Sequence, residues 1–114
     1  MKGAIVYAWS KPVPGREAKG VEFMGETNAR LEKYVADGTI SDYAWYISGH
    51  SSSGLLIMRG EMEKLSELQG DPESLTANVK GSLLNQSFEW GYYATGDTVD
   101  LLMGVYEQEV TDIS

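Results

Sequence analysis

The chain has 114 residues, 42% of them hydrophobic, no cysteine, and a formal net charge of −8. This composition is that of an ordinary globular protein, and it excludes disulfides, thiolate metal centres and cysteine nucleophiles. The negative charge argues against nucleic acid and anionic membranes as partners, and no apolar run is long enough to span a bilayer. We therefore expect one soluble, cytoplasmic domain over residues 1–114.

The first third of the chain contains a strand pattern followed by a helix pattern. Ala4–Trp9 is an unbroken apolar run with β-branched and aromatic types, which predicts a strand buried on both faces. A helix is predicted over Arg16–Ala36, ended by Asp37 and Gly38. The residues spaced three or four apart on its predicted inner side are Val21, Met24, Asn28, Leu31 and Val35, and the charges lie elsewhere. Gly20 and Gly25 within it indicate a close approach to the sheet or an irregular first half.

A hairpin and two helical segments are predicted next. Ile40–Ser48 is rich in strand formers, and six turn-forming residues separate it from the apolar run Leu55–Met58. Helical spacing returns over residues 61–68, and a second helix is predicted to begin at Asp71 and Pro72. The predicted buried stripe of this second helix consists of Leu75, Val79 and Leu83.

The last third begins with Phe88–Ala94, a predicted strand that carries large aromatic residues on both faces. Asp97 can cap a helix over about 97–110. The apolar positions of this helix, spaced for one face, are Val99, Leu102, Met103, Tyr106 and Val110. The competing interpretation of this segment is a fifth strand over Leu101 to Tyr106.

This order of elements predicts an α+β chain with the ferredoxin-like βαββαβ fold, a four-stranded antiparallel or mixed sheet, and an additional C-terminal helix. Right-handed crossovers place the first and third strands at the centre of the sheet and the second and fourth at its edges. Two helices cover one face only, and the other face is apolar in either register. A second copy is the simplest cover, so we expect a homodimer through the sheet face.

The element order over residues 3–94 resembles the dimeric α+β barrel superfamily. That superfamily includes antibiotic-biosynthesis monooxygenases, EthD-like proteins, muconolactone isomerases and YCII-like proteins. The residues that resemble small, functionally uncharacterised bacterial members in particular are the segment Leu55–Glu61, Leu65, Leu68, Asp71–Glu73, Leu75, Thr95, Gly96 and Tyr106. In these members, too, a helix is expected after the last strand.

Two titratable residues are weak catalytic candidates. His50 is the sole histidine, which excludes a multi-histidine metal site within one chain, and it falls in the predicted hairpin tip. It is either a proton-transfer group at a pocket mouth or an exposed loop residue. Glu89 points away from Phe88 and Trp90, and is either a buried acid of raised pKa or a carboxylate in solvent or an interface.

A ligand pocket for a flat aromatic molecule is the main binding hypothesis. Arg59, at the end of the third strand, either holds a carboxylate or phenolate ligand or forms a structural ion pair. The predicted pocket residues are Tyr7, Trp9, Trp45, Arg59, Trp90 and Tyr92. The same aromatic residues, with Tyr46 and Tyr93, equally suit a dimer core. No metal or cofactor is predicted, since the acidic residues are those of a solvated helix face.

The resemblance implies cofactor-free oxidation or isomerisation of a small aromatic or polyketide-like molecule. Relatives that degrade haem ligate iron through a histidine on the second helix, and residues 66–84 contain none, so haem is not expected. The alternative is a non-catalytic, homo-oligomeric binding or assembly protein. The sequence leaves open whether the chain is an enzyme.

Overall fold

The computed structural model describes residues 1–113. Its elements, in chain order, are β1 (Lys2–Trp9), β2 (Lys11–Pro12), α1 (Glu17–Ala36), β3 (Asp42–Ile47), β4 (Gly54–Glu61), α2 (Met62–Gly70), α3 (Pro72–Leu84), β5 (Asn85–Gln86), β6 (Glu89–Ala94) and α4 (Asp97–Ile113). Among these residues, no helix combines the length and the hydropathy needed to cross a bilayer.

The main sheet has four strands in the spatial order β3-β4-β1-β6, and all neighbours are antiparallel. The two central strands are the uninterrupted apolar runs, and the two edge strands are the ones with interleaved polar residues, as predicted. The short strands β2 and β5 form a separate two-stranded sheet. The predicted α+β class and ferredoxin-like topology are confirmed.

The strand register divides the side chains between a helix-facing side and an open side of the sheet. Ile5 of β1 lies opposite Met58 of β4 and Tyr92 of β6. Residues directly opposite one another in antiparallel strands share a face. Ile5 packs in one cluster with Leu31 of α1 and Leu65 of α2, so the odd-numbered residues of β1 face the helices. The core on that side consists of Ile5, Leu31, Ile40, Leu56, Met58, Leu65 and Leu68.

The open side of the sheet carries apolar and aromatic residues that lack a cover of their own. Its members include Val6, Leu55, Ile57, Tyr46 and Tyr93. Tyr46 and Tyr93 are each 55% exposed, and Leu55 is 39% exposed. Exposed large apolar groups gathered on one face are typical of an interaction surface.

Helix α1 runs without a break and ends where the left-handed Gly38 (φ 80°) follows Asp37, as predicted. Its predicted stripe is only partly correct, because Leu31 is buried whereas Val21 is 73% exposed. The expected close approach at Gly20 and Gly25 is wrong, since a Cβ at either position would meet no atom within 4 Å. The first half of α1 lies over a cavity rather than against the sheet.

Helix α3 packs through a different side from the one predicted. The predicted stripe of Leu75, Val79 and Leu83 is wrong, because all three side chains are more than half exposed. The residues that α3 buries are Ser74, Ala77 and Gly81. A Cβ at Gly81 would lie 2.7 Å from the Phe88 ring, so this small residue lets the helix approach. Close packing therefore prevails over hydrophobicity in deciding the buried side of α3.

The segment after β6 is the helix α4 rather than a fifth strand. None of its residues is buried, and its exposed apolar residues are Val99, Leu101, Leu102, Met103, Val105, Tyr106, Val110 and Ile113. The radius of gyration is 16.2 Å, whereas a compact chain of this length has about 13 Å. The helix therefore extends the molecule instead of completing its core.

Candidate functional site

A cavity of about 410 Å³ lies between the helix-facing side of the sheet and helices α1 and α3. Small-molecule sites occupy about 300–1,000 Å³, so this volume suits a ligand of two or three rings. The apolar walls include Trp9, Trp45, Leu31, Leu56, Met58 and Phe88. Because few polar groups interrupt these walls, the cavity favours a flat, largely apolar molecule.

The mouth of the cavity is formed by its exposed lining residues. Glu17 and Val21 belong to the first turns of α1, and Ile47 and Ser52 belong to the β3–β4 hairpin. At the other end the lining residue Leu68 is buried. The cavity therefore opens between the start of α1 and the hairpin, and it is closed toward α2.

Two tryptophans are held in place as one wall. The Trp9 and Trp45 rings meet edge to face, with centroids 6.4 Å apart. The Trp45 indole Nε1 donates to Asn28 Oδ1 on α1 at 3.0 Å. Gly54 provides the space for Trp9, because a Cβ there would lie 2.8 Å from Trp9 Cε2. This wall is therefore fixed by both an indole hydrogen bond and a glycine.

A chain of side-chain hydrogen bonds ends at the Tyr7 hydroxyl. Gln69 Nε2 donates to Tyr7, and Gln69 Oε1 accepts from Asn78 Nδ2 at 2.8 Å. Since Gln69 uses its N–H on the Tyr7 oxygen, the hydroxyl proton of Tyr7 remains available for another acceptor. Burial raises the pKa of Tyr7, and the Gln69 hydrogen bond and the Arg30 charge only partly oppose this rise. Tyr7 is therefore a protonated donor at neutral pH.

Helix α1 presents three further polar side chains to the cavity. Thr27 Oγ1 and Arg30 Nε are buried and have no hydrogen-bond partner, and the buried Tyr34 hydroxyl lies near the Ser74 side chain. The Arg30 Nη1 donates to the Glu73 backbone oxygen at 3.4 Å. Burial raises the pKa of Tyr34, and the Arg30 charge partly opposes it. Buried polar atoms usually have a partner, so these groups are candidates to contact a ligand.

The structure brings some of the predicted pocket aromatic residues to the cavity and leaves the others outside it. Tyr7, Trp9 and Trp45 line the cavity. Trp90 and Tyr92 lie on the same side of the sheet but in the edge strand β6, outside the lining. The Trp90 and Tyr7 ring centroids are 6.2 Å apart, so Trp90 packs beside this cavity residue from the neighbouring strand.

The predicted pocket cation Arg59 does not line the cavity. Arg59 is opposite Ala4 on the open side of the sheet, where its Nε donates to Asp42 Oδ1 at 2.6 Å. Its place in a sheet–helix pocket must be corrected, because the strand alternation that aligns it with Leu55 and Ile57 turns it away from the helices. The structural ion pair is the alternative that the geometry supports.

Neither catalytic candidate reaches the cavity. Glu89 is exposed and lies opposite Ala8 on the open side of the sheet. His50 is exposed in the hairpin turn, where its backbone N–H donates to Ser48 Oγ at 3.2 Å. In the described part of the chain, no group of three or more histidines or carboxylates is placed to hold a metal ion.

Several residues of the site were not identified from the sequence, namely Thr27, Arg30 and Asn78, which line the cavity, and Gln69, which binds the lining residue Tyr7. A signal for two of them existed, because Thr27, Arg30, Leu31 and Tyr34 are spaced three or four apart on one side of α1. Gln69 and Asn78 lie on different helices, and nothing in the local sequence brings them together.

A scan against protein-family models finds no match, and a search of curated proteins finds none either. Solved structures do match. Rv0793 from Mycobacterium tuberculosis superimposes with a TM-score of 0.67 at 17% identity, over 84% of this chain and 96% of that one. SnoaB from Streptomyces nogalater, a cofactor-independent oxygenase, gives 0.62 at 14% identity, over 82% and 92%.

A dimeric protein of unknown function from Bacteroides fragilis, with a ferredoxin-like fold, gives a TM-score of 0.57 at 15% identity. The match covers 82% of this chain and 96% of that one. At these identities the likeness concerns the fold, and the resemblance to dimeric α+β barrel proteins is confirmed at that level.

Proposed function

We propose that this chain binds a flat, largely apolar small molecule, aromatic or polyketide-like, in the cavity between the sheet and the helices. One observation carries the proposal: the Tyr7 hydroxyl is oriented by Gln69 at the wall of an apolar cavity of about 410 Å³. A few directed polar groups among largely apolar walls are how small-molecule sites combine affinity with orientation.

The same geometry supports conversion of the bound ligand. Tyr7 can donate to a carbonyl oxygen of the ligand, and the same donor stabilises the oxygen of the enolate that forms when an acidic neighbouring carbon releases its proton to water at the mouth of the cavity. SnoaB has this fold and is a cofactor-independent oxygenase. Cofactor-independent oxidation is therefore the reaction class to test in this chain.

We place this site in a soluble cytoplasmic homodimer. The open side of the sheet exposes Leu55, Tyr46 and Tyr93, and α4 buries none of its apolar residues. The neighbour from Bacteroides fragilis is itself dimeric. The competing function, a non-catalytic assembly protein, uses these surfaces alone and predicts a dimer that binds no ligand.

The binding proposal is tested with a panel of planar aromatic compounds, including naphthoquinones, anthraquinones and flavones. Trp9 and Trp45 line the cavity, so a bound ligand quenches tryptophan fluorescence and raises the melting temperature. Gly20→Phe places a ring at the mouth, and Gly25→Phe is the matched control on the same helix outside the lining.

We expect Gly20→Phe to weaken binding more than tenfold and Gly25→Phe to leave it unchanged. No saturable binding in the panel, or equal losses in both variants, would refute the pocket and favour the assembly function. Oxygen consumption with the bound compounds then decides between binding and oxidation.

A further inference from the structure

The lining of the cavity includes one positively charged side chain, Arg30, that has no ion-pair partner among residues 1–113. Arg30 lines the cavity, and its Nε is buried without a hydrogen bond. Its hydrogen bond to Glu73 goes to the neutral backbone oxygen rather than to the carboxylate. Within residues 1–113, no carboxylate forms an ion pair with Arg30. A partly buried guanidinium in this state strongly favours an anionic partner.

The side chains that surround Arg30 within the cavity carry no negative charge, so they would not repel a bound anion. Tyr7 of β1 and Tyr34 of α1 lie near Arg30. Both are protonated phenols, because burial raises their pKa values and the Arg30 charge only partly opposes this rise. From α3 the lining contributes Ser74 and Asn78, which are neutral. The single carboxylate in the lining is Glu17 at the mouth, about 20 Å away along the helix.

Acidic residues border Arg30 only from the side that faces away from the cavity. Glu26 and Glu73 line a separate groove between α1 and α3, which Arg30 also touches. Glu26 is paired there with Lys80 at 3.8 Å. The carboxylates of this groove therefore act on Arg30 without forming an ion pair with it. The buried Nε of Arg30 has no hydrogen-bond acceptor.

We infer that the ligand of this cavity is a planar organic anion, with Arg30 as the counter-charge of its oxyanion and the Trp9–Trp45 wall against its rings. The inference rests on the proposed binding function and adds the class of ligand. Either a carboxylate or a phenolate supplies the required oxyanion, and an Arg N–H donates strongly to both.

The test uses three probes of one shape, 2-naphthoate, 2-naphthol and the neutral 2-naphthamide, with tryptophan quenching as the readout. Arg30→Met removes the charge and keeps most of the side-chain length. Lys33→Met is the matched control, because it removes one positive charge from the exposed side of the same helix, outside the cavity.

We expect the wild-type protein to bind an acidic probe at least tenfold more tightly than the amide. Arg30→Met abolishes this preference, and Lys33→Met retains it. If naphthoate shows the dependence on Arg30, the oxyanion is a carboxylate. If naphthol shows it, with a shift to the phenolate absorption spectrum on binding, the oxyanion is a phenolate.

Equal wild-type affinities for acid and amide overturn the inference but leave the pocket intact, and this comparison requires no variant to fold. An acid preference that survives Arg30→Met also overturns it. Failure of all three probes, and of every compound in the aromatic panel, to bind the wild-type protein refutes the proposed function itself.

Discussion

The side-chain amide of Gln69, at the end of α2, donates a hydrogen bond to the hydroxyl of Tyr7 in the central strand β1. Gln69 is 6% exposed, and its oxygen accepts from Asn78 on α3. One buried amide therefore connects two helices to the sheet. It also fixes the direction in which Tyr7 can offer its proton to the cavity.

Replacing Gln69 should lower the stability of the fold. Gln69→Leu leaves the Tyr7 oxygen and the Asn78 amide without their partner, and we expect a loss of about 1–3 kcal/mol in the free energy of unfolding, measured in urea. Tyr7→Phe removes the other partner, so the double variant should lose less than the sum of the two single variants. Strictly additive losses would show that the two side chains are not coupled.

Two buried glycines of β4 should respond differently to alanine. A Cβ at Gly54 would lie 2.8 Å from Trp9 Cε2 and 2.9 Å from Ile47 Cδ1, so Gly54→Ala should destabilise the fold by about 1–3 kcal/mol. At Gly60 the nearest atom is Ile40 Cα at 3.4 Å, so Gly60→Ala should change the unfolding free energy by no more than about 1 kcal/mol. Thermal unfolding compares them, and equal losses would contradict the role of Gly54 in seating Trp9.

A charge at the centre of the open sheet face should disrupt the proposed homodimer. Ile57 lies between Val6 of β1 and Ala44 of β3. We expect Ile57→Asp to raise the dimer dissociation constant at least tenfold, about 1.4 kcal/mol, because the carboxylate would be buried without a partner. Sedimentation equilibrium measures this. Val79→Asp, at an exposed position of α3, is the control and should remain dimeric.

The turn after α1 should contribute stability that depends on pH. Asp37 Oδ1 accepts from the Thr39 backbone N–H at 2.9 Å and from its hydroxyl at 2.5 Å, and the hydroxyl bond is the main cause of the lowered pKa of Asp37. The contribution is therefore complete above about pH 3.9, the ordinary pKa of aspartate. It is lost as the pH falls through the lower folded pKa.

Asp37→Asn removes the titrating group from this turn. The difference in unfolding free energy between wild type and variant should therefore shrink as the pH is lowered from about 5 to 2. Urea titrations across this range measure it. A difference that stays constant would show that the Asp37 charge does not stabilise the turn.

Much of the fold could be predicted from the residues alone. The apolar runs of β1 and β4 identified the central strands, and the turn chemistry at Gly38 ended α1 where the structure ends it. The packing side of α3 could not be predicted, because Gly81 is buried by the position of the Phe88 ring rather than by its own hydrophobicity.

The candidate site was predictable only in part. Tyr7, Trp9 and Trp45 were recognised because large aromatic residues in strands are typical of pocket walls. Arg59 was the one cation among the predicted pocket residues, and alternation along β4 assigns it to the open face once the register is known. Gln69 and Asn78 could not be predicted as part of the site, because single amides on separate helices form no local sequence pattern.

The sequence by itself determined the α+β class, the order of the strands and the apolar character of both sheet faces, because these follow from local periodicity and from the chirality of crossovers. The tertiary structure alone decided which aromatic residues line a cavity and that Arg30 lies beside Tyr7 within it. Such juxtapositions depend on how helices of given bulk pack over the sheet, and they join residues distant in the chain. The proposed ligand-binding chemistry therefore depends on packing, within a fold that the pattern of residues already specifies.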